Sequence, residues 1–139
     1  MRNRSLTTVR EMQRYLYGSL SDLYDSHLLK DADKGAEIIK EKIETGKKIR
    51  IISDYDVDGV SSNYILYQGL KRCGADVDYK IPDRVEDGYG INEHLIEKAA
   101  EDGIDTIITC DNGIAAAEQI AYGNSLGLTL IVTDHHDIP

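Results

Sequence analysis

Three short clusters in this chain combine residue types that bind cations. They are Asp54-Tyr55-Asp56-Val57-Asp58-Gly59, Asp111-Asn112-Gly113 and Asp134-His135-His136. Carboxylates crowded together repel unless a cation or a proton relieves them. Asp54, Asp56 and Asp58 alternate, so an extended or gently turning backbone sends all three to one side. Asp111 is placed to bridge two ions held roughly 3.5–4 Å apart. Mixed carboxylate and imidazole donors favour manganese, with magnesium next. Adjacent histidines in extended chain point to opposite sides, so only one of His135 and His136 is expected to ligate a given ion. Each cluster also has a bland reading: a solvated acidic turn, a helix N-cap at Asp111, or a pair of surface histidines.

An Asp-x-Asp-x-Asp-Gly run also opens an EF-hand calcium loop. That loop requires a bidentate Glu at its twelfth position, here Ile65, and a preceding helix, whereas Ile49 to Ser53 reads as a strand. The EF-hand reading therefore fails. Between the clusters lies the loop Pro82 to Asn92. Its Gly88-x-Gly90 has Glu93 where a dinucleotide fingerprint needs a third glycine. Arg84 in this loop can clamp a phosphate or neutralise the neighbouring carboxylates, and both readings stay open. Tyr55 and Tyr89 flank the clusters and can stack on bases, while most of the nine tyrosines read as packing residues. Cys110 reads as a small core residue.

The elements that must position these residues alternate in type. Ala36 to Glu44 reads as a helix stopped by Gly46, Ile49 to Ser53 as a buried strand, and Val60 to Arg72 as a helix entered through a turn at Gly59. Val77 to Ile81 follows as a strand. Asn92 caps a helix over Glu93 to Glu101, and Ile104 to Thr109 is a strand. Ile114 to Asn124 is a helix, and Leu128 to Thr133 is the last strand. Strands separated by single helices imply an α/β fold with a mostly parallel sheet covered on both faces. The runs IRIIS, DTIIT and TLIVT are apolar on both faces, as such a sheet requires. Residues 1–33 read as a lead-in helix near Thr8 to Tyr17 and an irregular stretch from Ser21 to Asp33, packed over the sheet edge. Residues 34–139 form the main domain. In such folds ligands sit beyond the carboxyl ends of the strands. All three clusters follow a strand, so they should gather at one sheet edge.

The composition is that of a folded protein with no membrane span and no secretion signal: 139 residues, 41% hydrophobic and 29% charged. Two cysteines, Cys73 and Cys110, fit a reducing cytoplasm. The net charge of −9 opposes simple attraction to a phosphate backbone, but cations bound at the acidic clusters would reverse its sign locally.

Asp54 to Gly59, Thr109 to Ile114 and Thr133 to His136 resemble the first three motifs of the DHH phosphoesterases. The wording of Asp54 to Ser61, Ile81 to Asn92 and Thr133 to Pro139 is closest to the RecJ branch, the single-strand-specific 5′→3′ exonucleases of bacterial DNA repair and recombination. This resemblance implies a Rossmann-like DHH domain using two Mn²⁺ or Mg²⁺ ions to hydrolyse phosphodiester bonds in single-stranded nucleic acid, DNA foremost. It implies metal ligands at Asp54, Asp56, Asp58, Asp111 and His135. The implied catalytic set is Asp56, Asp58, Asp111, His135 and His136, with Asp134 as an orienting partner. Substrate contacts fall to His136, Arg84, Asn112 and Gly113.

The family also has a fourth motif, a metal-binding Asp on a later strand, and a second domain that closes over the cleft. Neither has a counterpart before Pro139, so the reading expects an N-terminal part of a catalytic core, weakly active or inactive alone. Relatives acting on oligonucleotides, cyclic dinucleotides or pyrophosphate place a histidine four residues before an Asp-x-Asp pair, and Ile52 stands there. A receiver-like signalling domain leaves His135 and His136 unexplained. A metal-binding scaffold without turnover is the third alternative.

Overall fold

The computed structural model describes residues 4–85 and 87–138. The chain divides into two compact units, one ending at Lys34 and the other beginning at Gly35. In the first, helix α1 (Val9–Tyr17) starts with a reciprocal capping box in which Thr8 and Glu11 satisfy each other's backbone N–H groups. Two 3₁₀ turns follow, Leu20–Asp22 and Ser26–Leu28.

The second unit contains a sheet of four strands, all parallel, in the order β2-β1-β3-β4. Helix α2 (Ala32–Glu44) leads into β1 (Lys48–Ser53). Helix α3 (Val57–Arg72) crosses to β2 (Asp76–Lys80), and α4 (Glu93–Glu101) crosses back to β3 (Thr106–Cys110). Helix α5 (Ala117–Ser125) ends at β4 (Thr129–Thr133). One face of the sheet packs Ile49, Ile51 and Ile108 against Ile39 and Ile43 of α2 and Leu66 and Leu70 of α3. The other packs Ile52 and Ile107 against Leu95, Ile96 and Ala99 of α4 and Ile120 of α5. The α/β class and two-sided cover expected from the strand runs are therefore present.

Several details differ from the sequence reading: α2 starts at Ala32 rather than Ala36, β3 runs from Thr106 to Cys110 rather than from Ile104 to Thr109, and two further helix starts and the burial of β4 also shift. Helix α3 begins three residues early because Asp56, not the Gly59 turn, caps it: its Oδ1 accepts the Gly59 N–H at 3.0 Å. Helix α5 begins three residues late, after a turn in which the Ala116 N–H donates to the Gly113 carbonyl at 3.0 Å and the Ile114 N–H donates to Asp134 Oδ2 at 2.9 Å. Strand β4 is only half-buried, where TLIVT was expected to be enclosed, because it lies at the edge of the sheet.

β1 is central. The chain moves to one side of it to form β2, then to the other to form β3. The reversal opens a crevice between the carboxyl ends of β1 and β3, the usual ligand position in open parallel sheets.

Candidate metal centre

Asp54 immediately follows β1 and Asp111 immediately follows β3. They are 4% and 8% exposed, and both line the crevice. Three contacts hold the ends of β1, β3 and β4 in step. The Asp54 N–H donates to the Cys110 carbonyl at 3.1 Å, and the Asp111 N–H donates to the Thr133 carbonyl at 3.0 Å. The Thr133 hydroxyl donates to the Thr109 carbonyl at 2.5 Å. Beneath them, buried Asn63 of α3 donates to the Ser53 hydroxyl at 2.9 Å.

Gly59 explains how α3 can start so close to Asp54. A Cβ at this position would lie 2.4 Å from the Asp54 carbonyl oxygen and 2.6 Å from its carbon. The requirement is close backbone approach rather than a turn conformation. Asp111 is the reverse case. It carries a side chain in the left-handed region, at φ 60°, a conformation costing on the order of 1–2 kcal/mol. Gly113, at φ 105°, completes the turn, and a side chain there would press on Thr109 and Val132.

Two sets of donor atoms converge, each lying within 4.8 Å of one another: Asp54, Asp56 and Asp111, and Asp111, His135 and His136. Asp111 belongs to both. Its Oδ1 is buried without a hydrogen-bond partner, although His135 Nε2 stands only 2.9 Å away. That nitrogen is close but does not donate to it. Adjacent ligands around an octahedral ion with bonds of about 2.1 Å stand roughly 3 Å apart. The pair thus has the spacing of two ligands of one cation, and the donor chemistry suits manganese or magnesium.

The histidines do not point to opposite sides as an extended chain would have placed them. Asp134 accepts the backbone N–H groups of His135 (2.8 Å) and His136 (3.1 Å) on one oxygen, bending the chain so that both rings face Asp111. Their ring centroids are 4.8 Å apart. The same Asp134 oxygen meets His136 Nδ1 at 2.6 Å, which raises the His136 pKa above its ordinary value. Burial pushes the Asp134 carboxyl up, but the N–H groups of Ile114, His136 and His135 and the His136 ring outweigh that and leave it below the usual range.

Two expected site residues are placed otherwise. Asp58 belongs to neither donor set, because α3 is already helical at Val57 and the alternation ends at Asp56. Its side chain is exposed, with no hydrogen bond or ion pair among the described residues. Asn112, expected to touch substrate, is 1% exposed and spends its amide on the carbonyls of Ile52 and Cys110. Arg84 stacks its guanidinium 5.0 Å from the Tyr55 ring centroid, and Tyr55 meets Tyr89 edge-on at 6.4 Å. Among the described residues Arg84 makes no ion pair, so it does not neutralise the carboxylates here. Desolvation raises the Tyr89 pKa, and so do the charges of Asp54, Asp134, Asp111 and Asp56. The sequence reading does not single out Asn63; a polar residue at the inward i+4 position from Gly59 on α3 was the available signal.

Residues 48–139 match the family model described as the DHH family, N-terminal domain. The single-stranded-DNA-specific exonuclease RecJ of Bacillus subtilis (strain 168) is 39% identical over 134 residues, which is 96% of this chain and 17% of that protein. RecJ of Salmonella typhimurium is 33% identical over 96% of this chain and 23% of its own length. The chain therefore spans about a fifth of the length of these curated relatives. Among solved structures, exonuclease RecJ bound to manganese superposes with a TM-score of 0.74 at 37% identity, over 80% of this chain and 29% of that one. RecJ in complex with Mn²⁺ from Thermus thermophilus gives 0.73 at 28% identity, over 93% and 19%.

Proposed function

This chain belongs to the DHH family, and from that premise we propose that it carries a two-metal centre for hydrolysis of phosphodiester bonds in single-stranded DNA. The activity is 5′→3′ exonucleolytic, as in the RecJ branch, and serves repair and recombination in the cytoplasm. Among the described residues no helix is long and apolar enough to cross a membrane. The observation that supports this reading best is Asp111: a buried carboxylate oxygen with no hydrogen-bond partner, common to two converging donor sets. A buried carboxylate oxygen without a hydrogen bond is costly, and a cation removes the cost. We assign residues 34–139 to the DHH domain and residues 1–33 to its lead-in segment.

Asp54, Asp56 and Asp111 hold one ion, and Asp111 and His135 the other. Asp58 joins them by side-chain rotation, which its exposure and lack of partners allow. Mn²⁺ or Mg²⁺ held by these residues would supply Lewis acidity towards the phosphate and ease loss of a proton from the attacking water. Asp134 keeps His136 Nδ1 occupied, leaving Nε2 as the ring's remaining hydrogen-bonding atom. That nitrogen can donate a hydrogen bond to the scissile phosphate and its developing negative charge. Arg84, braced on Tyr55, supplies a cation for a neighbouring phosphate. Tyr89 offers a face for a base.

Calorimetric titration of the chain with Mn²⁺, beside Asp111→Asn, tests this reading. Saturable binding that disappears in the variant supports it; equal binding by both proteins refutes the assignment of Asp111.

A further inference from the structure

The metal reading leaves one buried polar residue beside Asp111 without a role. Asn112 is 1% exposed. Its Nδ2 donates to the Ile52 carbonyl at 3.1 Å and the Cys110 carbonyl at 2.9 Å. Ile52 lies in β1 two residues before Asp54, and Cys110 is the last residue of β3. The amide therefore spans the crevice between the two strands where the sheet's own ladder ends. The Cys110 carbonyl it holds is the one that accepts the Asp54 N–H. The other end of the side chain faces the loop bearing Arg84 and Tyr89. Gly90, at φ 71°, lies so close that an added Cβ would be 3.6 Å from the Asn112 Cβ and 3.7 Å from its Oδ1.

A substrate contact is excluded by this burial. A filler role does not explain two donated hydrogen bonds to carbonyls of different strands. We infer that Asn112 is a positioning residue: its amide clamps the ends of β1 and β3 so that Asp111, held in a left-handed turn, shares its carboxylate between the Asp54/Asp56 set and the histidine set. The inference rests on the proposed metal centre. Asn112 acts on both ions through Asp111, so its loss weakens both together. A residue that merely stabilises the fold would lower the melting temperature and leave the metal affinity of the folded protein unchanged.

The test is a two-site Mn²⁺ titration of wild type, Asn112→Ala and Asn112→Ser, well below their melting temperatures, with circular dichroism reporting the fold. Asn112→Ala should weaken both sites by about 10–100-fold, the usual effect of losing a partner that orients ligands. Asn112→Ser keeps one donor and should fall between. If the alanine variant does not fold, serine against wild type carries the comparison. Wild-type affinity in a folded variant, even one with a lowered melting temperature, overturns the inference and leaves the metal centre standing. No binding by wild type at millimolar Mn²⁺ overturns the metal centre and this inference with it.

Discussion

Asp111 Oδ1 and His135 Nε2 lie 2.9 Å apart, yet the buried oxygen receives no hydrogen bond. The two atoms are neighbours because separate strand ends deliver them to one point. The same residue also belongs to the donor set of Asp54 and Asp56.

Removing that charge should separate binding from stability. Asp111→Asn is expected to weaken Mn²⁺ by about 100-fold. It should not lower the metal-free melting temperature and should raise it by a few degrees. Asparagine tolerates φ 60° well, and the variant relieves repulsion among the carboxylates. Calorimetry and thermal melts in chelator measure the two effects.

Asp58→Asn decides how far the first motif reaches. Side-chain rotation into the cluster predicts a loss of Mn²⁺ affinity of about tenfold or more. An unchanged titration would confine the ligands to the two donor sets.

Gly59→Ala should destabilise the fold by about 3 kcal/mol, because the new methyl meets the Asp54 backbone rather than a flexible side chain. Urea denaturation measures this. Gly69→Ala is the control on the same helix, since nothing lies within 4 Å of its added Cβ.

The pair His136–Asp134 sets a pH dependence. The folded pKa of His136 is raised, so its contribution is fully present below the unfolded value of about 6.5 and is lost as pH climbs through the folded value. The folded pKa of Asp134 is lowered, so its contribution is present above about 3.8 and is lost as pH falls through the folded value. Their mutual stabilisation is therefore fullest between about pH 4 and 6.5. In metal-free protein, an NMR titration of His136 should give a midpoint above about 6.5, which Asp134→Asn moves down.

Arg84→Ala should leave Mn²⁺ affinity unchanged and weaken a single-stranded oligonucleotide by about 5–10-fold at low salt. The salt slope should fall by about 0.7, the value of one lost single-strand phosphate contact. Fluorescence anisotropy at several salt concentrations reads both quantities.

Much of this protein is determined locally. The apolar runs before Asp54 and Asp111, the Asn92 cap and the helix from Glu93 to Glu101 depend on neighbours in sequence, and all are found at or within two residues of where their patterns place them. Parallel strands linked by helices then bring the acidic strand ends to one edge whatever the details of packing. The direction of each side chain there was decided elsewhere. Asp111 is held in its left-handed turn by a bond to β4, and Asn112 turns inward because β1 presents it a carbonyl. The two histidine rings converge because Asp134 bends the chain, and Asp58 stands apart because Asp56 starts a helix. Sequence periodicity determines which residues reach the sheet edge. The bonds among β1, β3 and β4 join residues far apart in the chain, and only the folded register decides which atoms meet.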